Sequence, residues 1–441
     1  MDLRALLEDL ERLEGGAFSD RLLQARRLEG AERARHTALL RACLENWRRH
    51  DWVLAARLAR PPRPRLRAAL RLGLELLEEG RPPHAVLSGL LAALPELSAA
   101  ERGLVNAVLR GLLRDNQALA PLPPPHPPIG EEQRRDLAAA LSLPPWFLDL
   151  VERLEGPELL SPLPLAKLRA ELIHGRGLWL RVNPARWRAD EALADLAERG
   201  LEPLAAPETP LFIRLGRPPR EGLAALPPLA DGRLRVQDLS AWGALALLDA
   251  QPGERVLDLC AAPGGKSLAL LDMVPGLRLC AVEADAGRAR ALARRLEGRA
   301  ELLVADGRAL AGTWDRVLAD IPCSGSGTVG HRPDVLLKTD PVQPALLALQ
   351  AELLAHAATL VRPGGRLVLS TCSLDPRENG EQAAKLLECC PFLRPRPDLA
   401  PATCRDEAGG WRWLPWTRPA GRPGGRPGAG GAWALALDRV A

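Results

Sequence analysis

Two cysteines stand where a thiol could do covalent chemistry: Cys323 in DIPCSGSG (320–327) and Cys372 in STCSLDPREN (370–379). Each follows a short apolar run that reads as a strand, 316–319 before the first and 366–370 before the second. A lone cysteine at a strand end is usually a small buried hydrophobe. Two of them, at the ends of strands that would be neighbours, are a different matter. Adjacent strands lie about 4.8 Å apart, so both thiols could face one reacting group. The other six, Cys43, Cys260, Cys280, Cys389, Cys390 and Cys404, make no CxxC pair. Neither a zinc site nor thioredoxin-like chemistry is expected, and no metal is called for.

Three further strand ends carry acids or glycines. The run 255–259 leads into DLCAAPGGKS (258–267) and an apolar helix. Gly264 and Gly265 let backbone approach a ligand, and the N–H groups that open the helix can hold a carboxylate. The spacing is neither GxGxxG nor that of a phosphate-binding P-loop. The next strand, 278–282, ends at Glu283, with Asp285 the fallback. An acid about 20 residues past a glycine turn is placed to bond a ribose diol. The strand 300–304 ends near Asp306, which suits an adenine amino group. Three successive strands finished in this way predict a nucleoside-binding rim.

The elements that must hold these residues alternate. From Val236 onward, short apolar strands are separated by helical stretches, plainest at 288–296 and 344–360. That alternation predicts a parallel sheet with helices on both faces and a ligand at the C-terminal strand ends. Residues 1 to about 117 instead repeat leucines at helical spacing, as in Leu66, Leu70, Leu74 and Leu77. Arginines outnumber acids there, twenty to sixteen, and Arg60, Arg63, Arg65, Arg67 and Arg71 cluster at a proline-rich turn. They read either as a solvated helix start or as a patch for phosphates. The proline-rich 121–128 reads as a linker, and 131–235 as a small α+β module whose 177–182 alternates like a strand.

Composition narrows the class. The net charge of +4 decides little, and the absence of tyrosine leaves Trp, Phe, His or Arg planes for base stacking. No apolar run is long enough to span a bilayer, and the N-terminus has no apolar stretch of the secretory kind. A cytoplasmic, monomeric enzyme without membrane contact is expected, its cysteines free thiols.

Taken together, DLCAAPGGKS, DIPCSGSG, HRPD (331–334) and STCSLDPREN resemble the RNA 5-methylcytosine methyltransferases. AERGLVNAVLRGLL (100–113) is similar to the NusB-like domain fused to the bacterial enzymes of that family acting on 16S rRNA, and LRVNP (180–184) fits their middle segment. The resemblance implies a Rossmann-like α/β class I methyltransferase domain over 236–441, preceded by an all-α NusB-like RNA-binding domain over 1–120, a linker over 121–130 and the α+β module over 131–235. It implies S-adenosyl-L-methionine as methyl donor and 16S rRNA, free or in early assembly, as partner. Cys372 would be the nucleophile and Cys323 would assist product release. Cys260, Ala261, Ala262, Pro263, Gly264, Gly265 and Lys266 would bind the cofactor with Glu283, Asp306 and Asp320. Asp320 and Lys266 would also lie near the base.

Three features depart from the family pattern. Glu283 stands where Asp is usual, 84–89 lacks an expected polar Asn-Glu pair, and a Gly/Arg/Pro-rich insert fills 421–431 with only Trp433 of an aromatic pair after it. A methyltransferase for proteins or small molecules would not need the paired cysteines. An inactive assembly factor on the same fold would be expected to lack Cys372 or an intact cofactor loop.

Overall fold

The chain folds into two units. The computed structural model describes residues 2–26, 28–115, 131–160, 162–174, 177–219, 221–416 and 429–440. The expected linker at 121–130 and residues 421–428 of the insert lie outside them. One unit is Met1–Ile173 with Arg332–Asp340; the other is His174–His331 with Pro341–Ala441.

Among its described residues the first unit is helical, without strands. Asp2 caps Leu3–Glu14 by accepting the N–H groups of Arg4 and Ala5, and Pro64 opens Pro64–Glu78, where its missing N–H costs nothing. Leu6, Leu7, Leu10 and Leu13 pack with Leu66, Leu70 and Leu74 in one leucine-rich core. Four of the five arginines in the cluster pair with this unit's own acids. Arg63 pairs with Glu101 at 2.7 Å, Arg65 with Glu11 and Glu96, and Arg67 with Glu14. Arg71 is buried, 2.7 Å from Asp51, and lies over the Trp47 ring at 3.8 Å. The solvated-start and phosphate-patch readings both overlooked these partners. The segment Arg332–Asp340 carries most of the HRPD motif and belongs here too. Asp334 accepts the Ser19 hydroxyl at 2.7 Å, and the Lys338 carbonyl accepts the Trp146 indole N–H at 2.9 Å.

The α+β segment divides differently from the expected 131–235. Its first helices, Glu131–Ala140, Pro145–Glu155 and Pro162–His174, fall in the first unit up to residue 173, whereas the helix Ala189–Glu198 falls in the second. Its strands β1 (Leu178–Val182), β2 (Pro203–Ala206), β3 (Thr209–Leu215) and β4 (Leu234–Val236) form an antiparallel sheet, in the order β2-β3-β1-β4, within the second.

That second unit is built on a larger sheet. Its strands are β5 (Arg255–Asp258), β6 (Arg278–Val282), β7 (Glu301–Leu303), β8 (Trp314–Asp320), β9 (Val361–Thr371), β10 (Leu393–Pro395), β11 (Trp411–Trp413) and β12 (Ala432–Arg439). The order is β10-β12-β9-β8-β5-β6-β7, with β11 paired to β12. Strands β5 to β9 are mutually parallel, as the alternation predicted; β10, β11 and β12 add an antiparallel flank it did not. The chain runs outward from β5 through β6 to β7, then returns to β8 on the other side of β5. The order reverses there, and in such sheets the ligand crevice lies beyond the carboxyl ends of the strands on either side, here β5 and β8. No described helix is long and apolar enough to cross a membrane.

Candidate active site

The glycine turn after β5 has one conformation open to it. Gly264 sits at φ +95°, a backbone conformation that favours glycine, and a Cβ there would meet the Leu292 side chain at 2.5 Å. Ala261 and Ala262 are buried beneath the loop with Leu268 and Leu292. Arg288 and Arg295 occupy the carbonyls of Ala262 and Pro263 at 2.8 and 2.6 Å. The helix Gly265–Met273 follows, and its opening N–H groups are of the kind that hold a carboxylate. Arg181 of β1 braces this helix: fully buried, it donates to Asp272 and to Gln237, each at 2.7 Å. The sequence reading gave that residue no role.

The acids stand at or just past the ends of β6, β7 and β8. Glu283, just past β6, is buried, accepts the Asp285 N–H at 2.9 Å and lies 3.3 Å from the Arg288 guanidinium. Asp306 is half exposed, and its bond to Arg308 holds its carboxyl down at about 2. Asp320 ends β8 and meets the Lys266 ammonium at 2.7 Å. Burial works against that ammonium, but Asp320 outweighs it and keeps Lys266 above its ordinary value. Asp258 went unnoticed in the sequence because it reads as the last residue of a strand. It is 1% exposed; burial lifts its carboxyl to about 7 against the opposing hydrogen bond from Ser267. Its Oδ1 has no partner among the described residues. A buried acceptor without a donor beside a glycine turn and a helix start suits the ammonium and carboxylate of an amino-acid moiety, with Glu283 one strand further for a ribose.

The two thiols meet. Asp320 of β8 lies opposite Ser370 of β9 in the parallel register, and just beyond them Cys323 Sγ is 3.1 Å from Cys372 Sγ. Gly327 donates its N–H to the Cys372 carbonyl at 3.0 Å; a Cβ at Gly327 would stand 2.2 Å from the Gly431 carbonyl oxygen. The loops can therefore close on one another only through glycine. The environments of the two sulfurs differ. The Cys323 S–H, donating to Cys372, holds the Cys372 thiol below its ordinary value, aided by the Lys266 ammonium and opposed by burial and Asp320. The same bond, reinforced by burial, pushes Cys323 well above it. Cys260, in the glycine loop, is raised to about 12 by burial and is no nucleophile.

One expected outcome concerns Glu283. Replacing it by alanine should weaken S-adenosylmethionine binding by about 1.5–3 kcal/mol, the range for hydrogen bonds to a charged group, or roughly ten- to hundredfold in Kd by calorimetry. An unchanged Kd moves the ribose to Asp285.

In the first unit, His50, Glu75 and Glu78 approach one another closely enough to share a cation. Glu78 already takes Arg49 at 2.7 Å and Glu75 takes Asn46 at 3.0 Å, so the group reads as a buried ionic network.

Residues 245–398 match the model of the 16S rRNA methyltransferase RsmB/F family, and residues 3–114 match the NusB family. Ribosomal RNA small subunit methyltransferase B of Klebsiella pneumoniae subsp. pneumoniae is 35% identical over 356 residues, covering 77% of this chain and 78% of that protein. Its counterpart from Escherichia coli O127:H6 is 32% identical over 353 residues with the same coverage. Among solved structures, PH0851 superposes with a TM-score of 0.74 at 23% identity, over 99% of this chain and 98% of that one. NSun6 from Pyrococcus horikoshii gives 0.56 at 17% identity, over 68% of this chain and 99% of that one.

Proposed function

Since the chain belongs to the RsmB/F family of S-adenosylmethionine-dependent 16S rRNA methyltransferases, we propose that it methylates C5 of a cytosine through a covalent bond between Cys372 and C6. The observation that carries this reading is the pair of thiols at 3.1 Å. A methyltransferase acting on oxygen or an exocyclic nitrogen has no use for two.

C5 of cytosine is a weak nucleophile. Adding a thiolate to C6 turns the ring into an enamine that reacts at C5, replacing one prohibitive step by two easier ones. S-adenosylmethionine supplies the electrophilic methyl group. The residues proposed to hold it are those from Cys260 to Lys266 with Glu283, Asp306 and Asp320. Cys372, kept low by its neighbour's S–H and by Lys266, is the thiolate. Asp320, beside Lys266, is the group proposed to share a proton with cytosine N3, which takes up negative charge as the adduct forms and returns the proton as the adduct breaks down.

Cys323 follows from the coupling. While Cys372 is charged, Cys323 is held protonated. Once the Cys372 charge is consumed in the bond to C6, that constraint is gone. Cys323 can then lose its proton to solvent and accept the one on C5. The C5–H electrons re-form the C5–C6 double bond, the C6–S bond breaks, and the departing Cys372 thiolate meets a Cys323 that again carries S–H. The site returns to its starting state with one proton released overall.

We assign RNA binding to residues 1–120, catalysis to 236–441, and the working form to a monomer acting on 16S rRNA that is free or in early assembly. Bisulfite mapping of 16S rRNA from cells with and without the gene tests the base assignment. One protected cytosine is expected to be lost with the gene. An unchanged cytosine map, with a methyl group lost elsewhere in the rRNA, overturns C5 chemistry and leaves the family activity standing.

A further inference from the structure

Glu378 lies six residues past Cys372, at the end of the short turn Pro376–Glu378, and is 1% exposed. Its carboxylate collects three donors, all neutral. They are the Ser324 backbone N–H at 2.8 Å, the Ser324 hydroxyl, and the Gln350 side-chain amide at 2.9 Å. Ser324 directly follows Cys323. A glutamate buried beside the reacting thiols, with no cation among these partners, is an expensive arrangement to keep for packing alone.

The carboxylate also sets the direction of a wider network. Because it only accepts, Ser324 must donate its hydroxyl proton to it, so that its oxygen acts as an acceptor toward its other neighbours, the Ser326 N–H at 3.4 Å among them. The Ser373 hydroxyl lies 3.3 Å from that oxygen and 3.0 Å from the Ser326 hydroxyl. Ser373 accepts the Asp375 N–H at 3.0 Å, and Ser326 accepts the Leu374 N–H at 2.9 Å. Ser373 directly follows Cys372. Donors thus run from the loop after Cys372, through hydroxyls, to Ser324 beside Cys323 and end on Glu378. We propose that Glu378 is a positioning residue, holding the Cys323 loop against the Cys372 loop through Ser324 and Ser373 and thereby setting the distance between the two sulfurs. Insofar as it bears on adduct breakdown, the proposal rests on the covalent mechanism above; the spacing itself does not.

Diamide tests the spacing without RNA. It takes two electrons and two protons from a pair of thiols, becoming the hydrazine form and leaving a disulfide. The closing rate of the Cys323–Cys372 bond, followed by peptide mass mapping, therefore reports how well the sulfurs are held together. Glu378→Gln keeps the shape but turns an acceptor into a donor facing Ser324. It should slow closure roughly tenfold or more, while Glu378→Asp, still acceptor-only, should recover part of the rate. An unchanged rate in Glu378→Gln, or Asp no better than Gln, overturns the proposal. Should Glu378→Gln fail to fold, Ser324→Ala removes the middle of the chain of bonds and must show the same slowing. With 16S rRNA and S-adenosylmethionine, Glu378→Gln should lose roughly ten- to hundredfold in kcat with the KM for S-adenosylmethionine unchanged, and accumulate an SDS-stable protein–RNA adduct. A merely structural glutamate would lower cofactor binding together with kcat and trap nothing. If closure slows but no variant of the enzyme ever forms an adduct, the covalent mechanism falls and the positioning role stands.

Discussion

Cys372→Ala should show no measurable methyl transfer to 16S rRNA, a loss of at least about 10⁴-fold, while binding S-adenosylmethionine nearly as well as the native chain. The two readouts separate because the thiol lies at the end of β9, whereas the glycine turn, Asp258 and Glu283 are carried by β5 and β6. Without a sulfur to add at C6, C5 stays aromatic and unreactive, and no other thiol can substitute. Cys323 follows β8 on the neighbouring loop, and burial pushes Cys260 up to about 12. Tritiated-methyl incorporation and calorimetry measure the two quantities, and substantial residual turnover would remove Cys372 from its role. The pH profile of the native enzyme gives an independent reading. Cys372 is held below the ordinary thiol value, so the active thiolate persists as pH falls toward neutrality and is lost only when pH drops through the lowered value. The acid limb of kcat/KM should therefore lie below that of a free cysteine. Cys323→Ala removes the donor that lowers it, so Cys372 should then need higher pH to ionise.

The placement of the reactive groups was legible because each closes a strand, and strand ends in a doubly wound sheet converge on one crevice. Cys323, Cys372, Asp320 and Glu283 could be read in this way from local pattern alone. What stayed hidden depends on contacts between residues far apart in the chain. Glu378 sits inside a quoted motif, yet its importance comes from Ser324, 54 positions earlier. Arg181 looks like one residue of an alternating strand until Asp272 is found 91 positions later. Asp258 reads as an ordinary strand end because only burial marks it out. The antiparallel flank was missed for another reason: β12, with residues 432–437 all buried, has no polar alternation to announce a strand. The arginines at 63–71 misled in the opposite sense, because composition shows charge but not the acids that neutralise it.

Cys323→Ala separates the two sulfurs most sharply. Its nucleophile is intact, so addition to C6 and transfer to C5 remain open, though Cys372 has lost the S–H that eased its ionisation. Breakdown is what the variant lacks. The C5 proton has no thiolate to accept it, and the departing Cys372 sulfur has no donor at 3.1 Å to receive its charge. The adduct should then outlive the assay. Incubated with 16S rRNA and S-adenosylmethionine, Cys323→Ala should give a protein–RNA complex that survives SDS and migrates as a shifted band, carrying one methyl group per complex. The variant lacking both cysteines should give no band, since no bond to C6 can form. If Cys323 served only to fill space between the loops, its loss would lower activity or melting temperature without trapping RNA. A band in Cys372→Ala and none in Cys323→Ala would exchange the two roles, and the low and high thiols would have to be reassigned with them.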